Sequence, residues 1–366
     1  MRKILLTMLA AVALIGCNRE DVPVSPQEQH AISFGTVDTR AGLSDLQANG
    51  FGVWATVSSI GSTDVSYQPL FEKEERVYIP TGGTEWTYDN EQLWISNSIF
   101  HFFAAYPYNI GFEQVRFEYG GKYLTACYKE MSADGATEPV DILVATYETN
   151  TTDENFDPNN AVPLLFKHLH TKINFKIRQN FDADPSFNYY VTKVTLRAPK
   201  TVIPGEPEPA DEGAIYSKGI CMYMPYSQPE NQISWAYVDM SNPQEEYPKV
   251  VISKEYTEPR ILRNIGVEDP TVTLSVWGDG MMLIPQEIAA NSLEVVVDYI
   301  YDVSVDTDYK DGTPKQAKAV ISNIKWESNK SICYNLAISN TTSLTFDKPT
   351  IEPWGSPQTG GTIIIK

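Results

Sequence analysis

Residues 99–108 read Ile-Phe-His-Phe-Phe-Ala-Ala-Tyr-Pro-Tyr, the most apolar run in the chain beyond its leader. A continuous apolar segment of this length predicts a strand buried on both faces. Gly50–Val57 places Phe51, Val53, Ala55 and Val57 on one face, the period of a half-buried strand. Ala31–Gly35, Phe71–Ile79, Val140–Thr146 and Tyr190–Leu196 read as further strands. So do Ser292–Ser304, Gln316–Ile324 and Ser331–Ile338. Turn signals separate them. They are Thr81-Gly82-Gly83-Thr84, Asp89-Asn90 between Trp86-Thr87-Tyr88 and Leu93-Trp94, and Lys310-Asp311-Gly312-Thr313. Pro204-Gly205-Glu206-Pro207-Glu208-Pro209 cannot be a central strand. No long capped amphipathic helix is present, so the expectation is all-β, with two sandwiches.

Composition agrees. Tyr 21, Phe 14 and Trp 7 favour strands, and Pro 24 and Gly 22 provide punctuation. A chain of 366 residues has room for two domains. The acidic loop 148–160 places the boundary near its end, giving domains 41–163 and 164–366. Lys167, His168 and Lys172 lie in the long strand region 162–177 that opens the second. A net charge of −19 excludes tracking along phosphate backbones, so no nucleic-acid partner is expected.

The first residues are a targeting signal rather than structure. Arg2 and Lys3 precede an apolar run too short to span a bilayer, and Leu14-Ile15-Gly16-Cys17 forms a lipobox. Cleavage between Gly16 and Cys17 would leave an acylated Cys17, so residues 1–17 are a lipoprotein signal. The bland reading is an ordinary signal peptide with an incidental cysteine. Glu20 and Asp21 lie close behind, in the manner of acidic export tags. Residues 18–31, with Pro23 and Pro26, read as an extended tether. Cys127, Cys221 and Cys333 remain, enough for one bridge and one leftover thiol. No CxxC is present, so no zinc site is expected.

Chemical motifs are missing: no HExxH, GxSxG, P-loop or GxGxxG. No enzyme activity and no cofactor are expected. His168 and His170 would share a strand face, but no third metal ligand can be named. His101, inside the apolar run, reads as a core residue. Asp302, Asp306, Asp308 and Asp311 with Gly312 miss calcium-loop spacing, because the glycine falls seventh rather than sixth from Asp306. Nothing opposes Glu74 to Glu75 as acid and base. Tyr226, Trp235, Tyr237 and Tyr247 could stack against sugars, although cross-strand packing is the default for such residues.

Several segments, in order, resemble the fimbrillin family, the lipoprotein-derived subunits of type V pili. They are Ile32-x-Phe34 with Thr39-Arg40-Ala41, Phe51-x-Val53-Trp54-Ala55, Trp86-x-Tyr88 and Leu93-Trp94. Phe102–Pro107, Asp141–Ala145 and Pro163-Leu164-x-Phe166-x-His168 follow, then Met282–Gln286 and Asn329-Lys330 before Tyr334-Asn335-Leu336. The resemblance implies two transthyretin-like Greek-key β-sandwiches and a surface lipoprotein on the outer membrane. It also implies polymerisation into fimbriae by donor-strand exchange with other subunits, supporting adhesion. An Arg-specific protease would cut between Arg40 and Ala41, residues 18–40 would depart, and a neighbour's strand would fill the groove. Ile363, Ile364 and Ile365 are the donor candidate, or else the docked last strand of the second domain. The bland reading of Arg40 is a solvated linker arginine, against which the flanking Thr39 and Ala41 match the family's cleavage pattern. The alternative function is a non-polymerising outer-membrane adhesin that binds glycan or host protein.

Overall fold

A computed structural model describes residues 30–36, 43–61, 68–71, 73–110, 116–117, 124–125, 127–132, 140–179 and 188–224, and in the remainder 232–239, 242–262, 273–302, 312–338, 344–346 and 349–354; residues 116–132 are described by backbone alone. Among these are twenty-seven strands and one short helix, Leu43–Asn49, so the chain is all-β.

The apolar run forms the strand Ser98–Tyr106, at the centre of a six-stranded sheet. Phe51–Ser59 pairs with it on one side and Leu143–Asn150 on the other, both antiparallel. Lys167–His168 extends the sheet beyond 143–150, and Gln68–Pro69 and Glu75–Val77 both pair with 51–59. Alternation sends Phe100, Phe102 and Ala104 to one face with Phe51, Val53, Ala55, Leu143 and Ala145. Ile32, Phe34, Leu46, Phe71, Val162, Leu164 and Phe166 complete that core. Phe103 and Ala105 point the other way with Trp54 and Val144.

That second face is covered by a three-stranded sheet, which explains the absence of polar alternation in the run. The strand Lys218–Met224 pairs with Cys127–Ser132 on one edge and Gln232–Ala236 on the other. Cys221, Tyr223, Leu169 and Ile284 meet Trp54 and Phe103 in a buried cluster. Trp54 stacks on Phe103 with centroids 5.2 Å apart, and Tyr223 lies 5.6 Å from the same ring. The covering sheet takes one strand from before residue 163 and two from after it. The two halves of the chain are therefore joined by both hydrogen bonds and apolar contact.

The second half forms a sandwich. One sheet orders Leu274–Ser275, Thr171–Gln179, Lys330–Ile338 and Leu344–Phe346, with Met281–Leu283 and Thr350–Pro353 also attached. Its central pair, 171–179 with 330–338, is parallel. The other sheet orders Ile252–Leu262, Asn188–Arg197, Leu293–Asp302 and Thr313–Ile321. The expected hairpin is present, with Tyr301 opposite Thr313; its Lys310-Asp311 tip lies outside the described residues. Phe175, Ile177, Tyr334 and Leu336 of one sheet face Val191, Val194, Val295, Val297 and Tyr299 of the other.

Some boundaries moved. The Phe71–Ile79 strand shrinks to Glu75–Val77, because Glu74 and Glu75 turn inward to hold loops. The Val140 strand begins at Leu143 and runs on to Asn150, polar residues being tolerated where one face of the sheet reaches solvent. The proline-rich insertion has no strand. It is pinned by buried Arg197, which pairs with Asp211 and lies 3.1 Å from Glu294; Lys200 Nζ reaches Glu208 at 3.1 Å.

Replacing Phe103 with alanine empties the contact between the central and covering sheets. Phe103→Ala is expected to cost about 3–5 kcal/mol, read as a lower urea midpoint. It should also release the three-stranded sheet to faster amide exchange than the 171–338 sandwich.

Candidate functional site

Burial alternates along Ala31–Gly35, with Ile32 and Phe34 on the same side. Both are buried, at 1% and 4% exposure. The backbone is clamped from two sides. Ile32 N–H donates to Gln92 O at 2.8 Å, and Trp94 N–H donates to His30 O at 3.1 Å. Further along, Phe34–Thr36 pairs parallel with Val162–Leu164, and Val162 N–H donates to Ser33 O at 2.8 Å. The Tyr88 hydroxyl donates to Ile32 O at 2.8 Å.

The Phe34 ring sits in an aromatic box. Tyr88 meets it edge-on at 5.3 Å and Phe102 at 5.8 Å. Phe71 packs edge-on against Tyr88, and Trp94 against Phe100 and Phe102. Burying Ile32 and Phe34 is worth roughly 1.5–3 kcal/mol each. This strand closes the face of the N-terminal core opposite the covering sheet. Without it, Phe102, Tyr88, Val162 and Leu164 would face an open groove.

The strand lies upstream of Arg40. Arg40 and Ala41 themselves lie outside the described residues, as do Gly16, Cys17, Ile363, Ile364 and Ile365. The sequence pointed to Ile32-x-Phe34 as a strand. It did not indicate the depth of its burial, because Tyr88 and Phe102 are brought there only by folding.

Other sequence candidates have structural surroundings. His168 is in the strand Lys167–His168 but His170 is not, so the two do not share a strand face. His168 Nδ1 lies 2.8 Å from Asp141 Oδ1, and its ring stacks on Trp354 at 3.9 Å. His170 is buried, and burial lowers its pKa to about 4. Among the described residues no group of three His, Cys, Asp or Glu is disposed to hold a metal. His101 Nδ1 lies 3.1 Å from Glu148, which is too solvated to offset burial; its pKa also falls to about 4. Glu75 accepts from Asn90 Nδ2 at 2.6 Å, whereas Glu74 accepts from Asn109 N–H at 3.0 Å, so the two acids serve different loops.

Tyr237 stacks on Tyr216 at 4.5 Å and donates to Pro285 O, while Trp235 Nε1 donates to Ser328. Tyr247 is buried, and Tyr226 lies outside the described residues. Cys221 is buried. Cys333 is half-buried with its thiol pKa pushed up by burial, and the Cys127 side chain lies outside the description.

Fold and site together define an all-β protein of β-sandwich type whose N-terminal strand fills a groove in its own core. Residues 39–220 match the family model described as fimbrillin-like, and the chain belongs to that family. Its fold is similar to that of a fimbrial protein from Bacteroides vulgatus, with TM-score 0.61 at 16% identity, covering 89% of this chain and 99% of that one. A fimbrial assembly protein from Parabacteroides distasonis aligns at TM-score 0.38 and 10% identity, covering 88% and 99%. No curated protein matches.

Two measurements check this description. Phe34→Ala should destabilise the chain by about 3–5 kcal/mol in urea titration. The second concerns pH. His101 and His170 hold off protonation until about pH 4 when folded and take up a proton near 6.5 when unfolded. The unfolded state therefore binds more protons in that window, and stability falls as pH drops through it. The expected slope is about 1.4 kcal/mol per pH unit for each histidine. His170→Gln should flatten the dependence by one histidine's share.

Proposed function

We propose that this protein is a structural subunit of cell-surface fimbriae that accepts a neighbour's strand in the groove now filled by residues 30–36. The observation that carries this reading is the position of that buried strand just before Arg40. Cutting the chain after Arg40 leaves residues 30–36 held by a few backbone bonds and two buried side chains. Their loss uncovers unpaired backbone groups and an apolar groove, and an incoming strand satisfies both. Such an interface is head-to-tail, so it propagates into an open filament. The similarity of fold to a fimbrial protein supports the same reading.

The remaining assignments follow from the sequence. Residues 1–17 direct export, and Cys17 carries lipid that holds the protein at the outer membrane, facing outward, before or at the base of the fimbrium. Residues 18–40 are the tether and departing strand, and 41–163 and 164–366 are the two domains. Ile363, Ile364 and Ile365 form the donor segment offered to the next subunit. The role is one of assembly and adhesion, without catalysis or cofactor.

A second reading, a solitary adhesin, is favoured by one feature. A cleft of about 370 Å³ lies between the strand 143–150 and the loop that follows it. Trp94, Tyr147 and Phe156 supply ring surface, and Asn150, Asn155 and Asn160 supply amides suited to a glycan.

Treating the full chain with an Arg-specific protease separates the two. A detergent-resistant ladder that disappears in Arg40→Ala is the expected result. A cleaved product that stays monomeric in sizing and binds on a glycan array would sink polymerisation and favour the adhesin.

A further inference from the structure

We infer that the groove selects its incoming strand by side chain, requiring an aliphatic residue, an aromatic residue two positions later, and then a small residue. This rests on the strand-exchange reading above. It identifies the preferred partner as a different subunit, with a second copy of this chain filling the groove more weakly.

The backbone contacts in the groove carry no sequence information. Gln92 O, Trp94 N–H and the Tyr88 hydroxyl bond to main-chain atoms of residues 30–32, and any extended strand provides those. Discrimination falls to the two pockets and to the space beside them. The first pocket holds Ile32 and asks only for an aliphatic group. The second is walled by rings. Tyr88 and Phe102 stand edge-on to Phe34 at interplanar angles of 69° and 84°. Tyr88 is fixed there, its hydroxyl accepting from Gln92 N–H at 3.1 Å while donating to Ile32 O. A branched aliphatic residue in this pocket loses both edge contacts and leaves unfilled volume. The rigid walls do not collapse to fill it. The next position is Gly35. A Cβ there would come 3.2 Å from the Ala161 Cβ, closer than ordinary contact, and a β-branched residue would crowd it further.

The chain's own C-terminal segment fits this specification in part. Residues 360–366 are Gly-Gly-Thr-Ile-Ile-Ile-Lys. Ile363 and Ile365 have the spacing of Ile32 and Phe34, so Ile363 suits the first pocket. Ile365 then underfills the aromatic box, and Lys366 falls where Gly35 lies. A donor bearing aliphatic-x-aromatic-glycine fits all three positions and displaces it. The groove is therefore built for a subunit of another type, and this chain would sit at a junction between unlike subunits.

The test uses the full chain cleaved after Arg40, with fluorescently labelled peptides as probes and anisotropy as the readout. The peptide of residues 30–38 should bind. Its Phe34→Ile form should bind roughly tenfold more weakly or worse, and Gly35→Val several-fold more weakly. The peptide of residues 358–366 should be about tenfold weaker than 30–38, and Ile365→Phe with Lys366→Gly should restore it. Binding of all these peptides within about twofold would overturn the selectivity while leaving strand exchange standing. A tail peptide as tight as 30–38 would overturn the unlike-subunit assignment. If even the unmodified 30–38 peptide fails to bind the cleaved chain, the strand-exchange reading itself fails and this inference with it.

Discussion

The rest of the molecule depends on the burial of the strand Ser98–Tyr106 on both faces. Antiparallel sheets can leave one face to water, and then alternate polar with apolar residues. This strand cannot, because Phe100 and Phe102 point into one core and Phe103 and Ala105 into another. Two further layers must therefore exist to cover it. One is the sheet of 127–132, 218–224 and 232–236, and the other is built from the helix, the 71–94 segment and the strand pair 34–36 with 162–164.

These two layers differ in how firmly they are held. The covering sheet is continuous with the second half of the chain and is locked by Trp54, Phe103 and Tyr223. The opposite layer ends in a short strand joined to the core by two side chains and a handful of backbone bonds. A strand that contributes real burial through few contacts is replaceable by another of similar chemistry. An interior strand such as 98–106, paired on both edges, is not. The exchange proposed above would open the N-terminal core at this one place and leave the central strand paired.

The seam between the halves has its own chemistry. His168 is held between Asp141 and Trp354, its own N–H donates to Asn329 Oδ1, and Asn329 N–H donates to His170 O. His170 lies beside it, buried and kept neutral by desolvation. These residues fix Trp354, the last described residue, against the junction. The buried neutral His170 also makes the junction sensitive to acid, since charging it requires water that the fold excludes.

By itself the sequence determined that the chain is all-β, roughly where several of its strands lie, and which run is buried on both faces. Those properties follow from local periodicity and turn chemistry, which every few residues display. Ile32-x-Phe34 was legible as a strand, and the order of its motifs was legible as a family. Only the tertiary structure decided that Phe34 enters a box made by Tyr88 and Phe102, residues more than fifty positions away in the chain. Only it decided that 127–132 would pair with 218–224 across the two halves. It also assigned Glu74 and Glu75 to separate loops despite their adjacency. Long-range pairing is chosen by which apolar faces remain uncovered once the local strands have formed, and no local window of sequence records that choice.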